Sequence, residues 1–145
     1  MTDVVVDSSV LGAWMLDDEP AHVAAVQFLD AFGDGTFDPV FAAHFAFEIQ
    51  HALVRAARRG RMDWADIPRW LDAIDALEAR LVPLSEVDAP VLALAQRHQL
   101  TWGDANWVEI AAREDLPLLT ADRRLIRSVP DDVAILVDVR EAAAA

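Results

Sequence analysis

The sequence predicts an α/β fold built on a mostly parallel sheet covered by helices on both faces. Three observations carry that expectation. Short β-branched and aliphatic runs, "VVV" (4–6), "LPLLT" (116–120) and "VAILVDV" (133–139), alternate with longer segments of helical periodicity. Strands that alternate with helices are joined by right-handed crossovers, which make neighbouring strands parallel. The chain has 145 residues, 54% of them hydrophobic, enough for one core and one domain.

In order, residues 3–6 read as a buried strand ending on Asp7, and Val10 to Leu16 as a short helix that gives out in the acidic run "DDEP". Pro20 suits the first turn of the next helix. "AHVAAVQFLDAF" continues it with Val23, Val26 and Leu29 on one side, until Gly33 and Gly35. A short strand over 37–40 follows, weakened by Pro39. Ala43 to Arg59 is helical and stops at Gly60, and a second helix runs from Asp63 to Ala79. "RLVPL" is a strand candidate. Asp88 caps a helix reaching Gln99, and Thr101 to Asp104 open another that reaches Arg113. "LPLLT", a short helix in "ADRRLIRSV" and the strand "VAILVDV" complete a single domain over 1–141. The terminal alanines, 142–145, are expected to fray.

Composition removes several chemistries. There is no Cys, hence no disulfide, thiolate zinc site or Cys nucleophile, which suits a reducing cytoplasm. All twelve basic residues are Arg. Without Lys there is no P-loop, no Schiff base and no receiver-domain lysine. Every apolar run is broken by charge short of the roughly 18 residues a membrane helix needs, so a soluble protein is expected. The net charge of −13 disfavours non-specific nucleic-acid binding. It is uneven, however: no Arg precedes Arg55, and "VRAARRGR" then begins abruptly.

The acids fall where such a sheet gathers its sites, at the carboxyl ends of strands. Asp7 follows the first strand directly, Asp122 follows "LPLLT" by two residues, and Asp104 opens a helix. Each alone is explained as an N-cap. Glu48 lies inside a helix beside Phe45, Ile49, Ala52 and Ala56, where it must be compensated, reach solvent or pair with Arg55. Together the four would form an acidic pocket whose repulsion opposes ionisation. A hard divalent cation resolves that conflict, and carboxylates without Cys favour Mg²⁺ or Mn²⁺. Such a site suits phosphodiester hydrolysis, with local arginines (Arg55, Arg58, Arg59, Arg123, Arg124, Arg127) guiding the nucleic acid.

Four segments, "VVVDSSVL", "FEIQHALVRAARRG" with Glu48, "TWGDANWVEIAARED" with Asp104 and "LPLLTADRRL" with Asp122, together resemble the PIN domain. More narrowly they resemble the toxin subunit of VapBC-type toxin–antitoxin pairs, collinearly over nearly the whole chain. The resemblance implies a three-layer α/β/α sandwich, a Mg²⁺- or Mn²⁺-dependent endoribonuclease acting on RNA in the cytoplasm, a homodimer, and inhibition by a cognate antitoxin. It implies Asp7, Glu48, Asp104 and Asp122 as the acidic quartet. Asp7, Asp104 and Asp122 would be the metal ligands, and Glu48 would act directly or through water. Ser9 and Thr120 match small hydroxyl positions that support the carboxylates.

Two positions depart from the family pattern. His51 replaces the usual Asn three residues after the Glu, and Gly103 replaces an aromatic or aliphatic residue before Asp104. His44, Glu48 and His51 thereby acquire metal-ligand spacing on one helix, and Gly103 is expected to loosen the approach to Asp104.

Other readings fare worse. A D-x-S-x-S adhesion site would need Ser where Leu11 stands, and a D-x-D phosphatase an acid where Ser9 stands. The serious rival is a catalytically weak PIN-like module that binds metal or RNA and acts through a protein partner. Trp64, Trp70, Trp102 and Trp107 are expected to pack in the core or a dimer interface. Arg55, Arg58 and Arg123 are the substrate-binding candidates.

Overall fold

Val4 to Val6 set the layering. Successive strand residues point to opposite faces, and the first strand, β1 (Thr2–Val6), sorts its valines accordingly. Val4 and Val6 join Leu11, Phe41, Ile49 and Leu53 in one apolar cluster, while Val5 joins Val40, Trp107, Ile110 and Leu118 in another. A computed structural model describes residues 2–144. Among these, β1, β2 (Phe37–Ala42), β3 (Arg80–Val82), β4 (Leu118–Thr120) and β5 (Leu136–Asp138) form one parallel sheet in the order β3-β2-β1-β4-β5.

Helices cover both faces. The Val4/Val6 side carries α1 (Ser8–Met15), α2 (His22–Gly33), α3 (Phe45–Arg58), α4 (Ile67–Asp75) and α8 (Val139–Ala144). The Val5 side carries α6 (Trp102–Glu114) and α7 (Arg123–Ser128), with α5 (Ala89–His98) packed on α6. This is the expected α/β/α sandwich. The chain moves outward from β1 to β2 and β3, then returns to lay β4 on the other side of β1. Connections leaving β1 and β4 in opposite directions open a crevice at their carboxyl ends, the usual ligand position in such sheets.

Several local expectations need correction. Pro39 lies in an interior strand, yet β3 pairs with β2 only from Val40 onward, so its missing N–H leaves no gap in that ladder. The helix expected over 63–79 is shorter. Asp63 accepts the Ala65 N–H (3.1 Å) to start a 3-10 turn, Trp64–Asp66, and Glu78 has left-handed backbone (φ 51°) beyond the end of α4. The tail expected to fray is the end of α8, whose Ala142 packs against the core; Ala145 lies outside the described residues. Of the four tryptophans expected in the core or a dimer interface, Trp107 is fully buried and Trp70 meets Trp14 edge-on, while Trp64 and Trp102, 55% and 56% exposed, lie outside the core of the single chain.

α8 also serves the crevice. Arg140 donates from Nε to Asp138 Oδ1 (2.8 Å) at the end of β5, and from Nη2 to the Ala121 carbonyl (2.7 Å) in the loop leading to Asp122. Burial pushes the Asp138 carboxyl up, but its bonds to Arg140, aided by Arg123, hold it below the usual carboxylate range. Arg140→Met leaves a buried carboxylate short of its main partner. It is expected to cost about 3 kcal/mol and lower Tm by about 10 °C in a domain this size. Asp138→Leu added to Arg140→Met should recover most of that loss in thermal melts.

Candidate active site

The crevice holds a cleft of about 600 Å³ whose lining includes Asp7, Glu48, Asp104 and Asp122. Asp7 is delivered by β1, Glu48 by the first turn of α3, Asp104 by the first turn of α6, and Asp122 by the turn after β4. The four sequence-selected acids therefore share one cleft.

Asp7 stands at the N-cap position of α1 but caps nothing: its carboxylate makes no bond to the helix N–H groups. Oδ2 instead accepts the hydroxyls of Ser9 and Thr120, both at 2.8 Å, and Oδ1 has only a long contact from Ser8 Oγ (3.4 Å). The two hydroxyls are themselves fixed. Ser9 Oγ accepts the Ala121 N–H (3.0 Å) and Thr120 Oγ1 accepts the Asp122 N–H (3.1 Å), so they tie Asp7 to the loop that carries Asp122. Asp7 is 4% exposed. Burial raises its pKa to about 6, the bonds from Thr120 and Ser9 restrain the rise, and the charges of Asp104 and Glu48 add to it. Asp104 is raised too, by burial and by Asp122 and Glu48, against Thr101 and Arg124.

Glu48 is turned inward rather than toward Arg55. Its Oε1 accepts Ser8 Oγ (2.9 Å) and the indole Nε1–H of Trp107 (2.6 Å), and lies 3.4 Å from His44 Nε2. Asp122 does cap its helix: Oδ1 accepts the N–H groups of Arg124 (2.9 Å) and Leu125 (3.2 Å). A common pattern emerges. In Glu48 and Asp122 one oxygen is tied down and the other has no hydrogen-bond partner among the described residues, while Asp7 keeps one oxygen only loosely engaged. Carboxylates held by one oxygen present the other as a ligand.

The donor set fits a hard divalent cation. No three His, Cys, Asp or Glu side chains among the described residues converge into a ready-made cage. That spread suits Mg²⁺, which retains several waters and takes one or two protein carboxylates. The His44–Glu48–His51 trio does not assemble as ligands. His44 is buried and donates Nε2–H to the Gly103 carbonyl (3.1 Å), whereas the His51 ring stacks on Phe47. Nor does Gly103 loosen the approach to Asp104. A Cβ there would lie 2.5 Å from Glu48 Oε2, so glycine is what admits the Glu48 carboxylate.

The arginines divide. Arg55 and Arg59 line the cleft. Arg58 is exposed away from it, and Arg123 pairs with Asp138 (3.5 Å) beside a separate hollow. Arg61 borders the cleft but is held by Asp18 and Glu19. Trp107 is the site residue the sequence analysis missed, having been assigned to packing; its position three residues after Asp104, one turn along α6, was the available signal. Trp107→Phe removes a donor to a carboxylate and is expected to cost about 2 kcal/mol in denaturant melts.

The PIN domain family model matches residues 4–130. The chain belongs to the PIN domain family. This PIN domain is 36% identical over 96 residues to "Ribonuclease VapC3" of Mycobacterium tuberculosis, a stretch that is 64% of this chain and 66% of VapC3. The match thus spans just under two thirds of that relative. The crystal structure of PAE2754 from Pyrobaculum aerophilum superposes with a TM-score of 0.73 at 26% identity, covering 99% of this chain and 88% of the other. A toxin–antitoxin complex from Klebsiella pneumoniae shares the fold, with a TM-score of 0.61 at 18% identity over 94% and 97% of the two chains.

Proposed function

We propose that this PIN domain is a divalent-metal-dependent endoribonuclease, the toxin member of a toxin–antitoxin pair. The observation that carries the reading is the acidic cleft itself: four carboxylates from four segments line one cleft at the switch point of the sheet, and burial pushes the pKa of the most buried of them up to about 6. Family membership and the VapC3 similarity support it.

In this reading Mg²⁺ or Mn²⁺ would be held by carboxylates drawn from Asp7, Asp104 and Asp122, and Glu48 would act directly or through water. The ion, when bound, supplies an activated water and offsets charge at the phosphate. The chain's own residues do the rest. Ser9 and Thr120 fix Asp7 through Oδ2, Ser8 and Trp107 fix Glu48 through Oε1, and Arg140 fixes the loop before Asp122. Arg55 receives the RNA backbone. The overall charge of −13 does not oppose this, because a bound cation would offset the charge of the acidic pocket and of the RNA backbone.

A homodimer and a neutralising antitoxin complete the proposal, acting in the cytoplasm. No helix among the described residues is long and apolar enough to cross a membrane. The test is cleavage mapping on total RNA with and without Mg²⁺. Internal cuts that appear with Mg²⁺ and vanish with EDTA and in Asp104→Asn are expected, and cuts that survive both contradict the reading.

A further inference from the structure

α3 presents a ridge that neither the acid site nor the core explains. Phe47, His51, Arg55 and Arg59 recur every fourth residue, one above the next on a helix, and all border the acidic cleft. Phe47 is 74% exposed, an unusual position for a phenyl ring. Its ring lies parallel to the His51 imidazole, with 10° between planes and 5.9 Å between centroids. The two rings lie in a parallel, offset stack at the rim, and Phe47 remains largely open to solvent. One turn further, Arg55 and then Arg59 take part in none of the ion pairs among the described residues, although acids outnumber basic residues by 25 to 12.

Flat aromatic surface followed by uncommitted guanidinium groups is the pairing that single-stranded nucleic acid uses, bases on rings and phosphates on cations. We propose that this ridge is a substrate subsite: one unpaired RNA base stacks on the open side of Phe47 at the cleft rim, extending the Phe47–His51 stack, and the adjoining phosphates run along Arg55 and Arg59. The inference rests on the ribonuclease reading and adds to it the residues that hold a base and its phosphates beside the cleft. A duplex keeps its bases in its own stack and offers none to Phe47, so the subsite takes an unpaired nucleotide at the cleft rim. His51, which departs from the family pattern, supplies the second ring.

The test uses the full chain carrying Asp7→Asn, in Mg²⁺, and a single-stranded RNA of about ten nucleotides containing one 2-aminopurine. Binding should quench the 2-aminopurine fluorescence. Phe47→Ala should abolish the quench and weaken binding about ten-fold, Phe47→Trp should retain both, and Arg55→Ala should weaken binding while keeping the quench at saturation. An abasic probe should bind the Phe47 chain about ten-fold more weakly but lose nothing further on Phe47→Ala. No binding of the probe, an unchanged quench in Phe47→Ala, or an abasic loss that persists in that variant overturns the subsite. So does a loss of dimerisation or of antitoxin binding in Phe47→Ala with RNA binding intact, which would place the ring in a protein interface. Metal-dependent cleavage by the chain with native Asp7 is scored separately. Quench without cleavage defeats the nuclease reading alone, and cleavage without a Phe47 effect defeats the subsite alone.

Discussion

Asp7→Asn is expected to abolish metal-dependent cleavage and, in the same protein, to raise the melting temperature of the metal-free chain at pH 7.5. Asp7 has an ordinary pKa of 3.8 when exposed and about 6 in the fold. Between these values the native state holds a proton that the unfolded chain has released. Stability therefore falls as pH rises from about 4 to about 6, and above that the penalty is complete, at about 3 kcal/mol. Asparagine carries no such penalty. The variant should be more stable by up to about 3 kcal/mol at pH 7.5, roughly 5 to 10 °C in Tm, and the difference should close toward pH 4. Asp104, raised for related reasons, adds a contribution of the same sign that the substitution partly relieves. Saturating Mg²⁺ should raise Tm for the unaltered chain, since a ligand of the native state alone stabilises it, and do little for Asp7→Asn. Thermal melts over pH 4 to 8 check all of this without an activity assay. A variant that is less stable at pH 7.5 and no more so at pH 4 would contradict the electrostatic account of Asp7.

Gly103→Ala is expected to separate the site from the fold. The added Cβ would stand 2.5 Å from Glu48 Oε2 and 3.5 Å from its Cδ, so the carboxylate must move. The atom displaced is the tip of a flexible side chain, and alanine in the first turn of α6 favours the helix by about 0.5 to 1 kcal/mol. Stability should change by less than about 1 kcal/mol. Cleavage should fall about ten-fold or more, because the displaced carboxylate loses the geometry that Ser8 and Trp107 impose. Denaturant melts beside initial cleavage rates measure both halves. Unchanged rates would mean that Glu48 need not occupy its present position.

These two residues also show what the sequence reveals and what it withholds. The sheet was legible because Val4 to Val6 and Leu118 to Thr120 are apolar runs between helical segments, and the acids at their ends follow from strand direction. Alone, Asp7 reads better as a cap, and only beside Glu48, Asp104 and Asp122 does it read as a ligand. Only the contacts at Ser9 and Thr120, the latter 113 residues away, show that it caps nothing. Gly103 looked like a loosening substitution because the carboxylate it admits comes from another helix, 55 residues earlier in the chain. Trp107 reads as packing by composition, and its indole N–H acquires meaning only beside Glu48. The helix α8 was not legible because β5 passes into it without a glycine or proline to mark the join. Arg140 lies within the expected domain, but its hold on the Asp122 loop shows only in the packed structure. Pairings such as Arg61 with Asp18 and Glu19 depend on how α1 and α3 pack, which no local pattern encodes.

The central claim is that the four acids form a divalent-cation site. Anomalous diffraction from crystals soaked in Mn²⁺ tests it most directly. The account requires a manganese peak in the cleft within ligand distance of carboxylates among Asp7, Asp104 and Asp122, and its disappearance in crystals of Asp7→Asn. An empty cleft at millimolar Mn²⁺, or a peak that persists in Asp7→Asn, would contradict it.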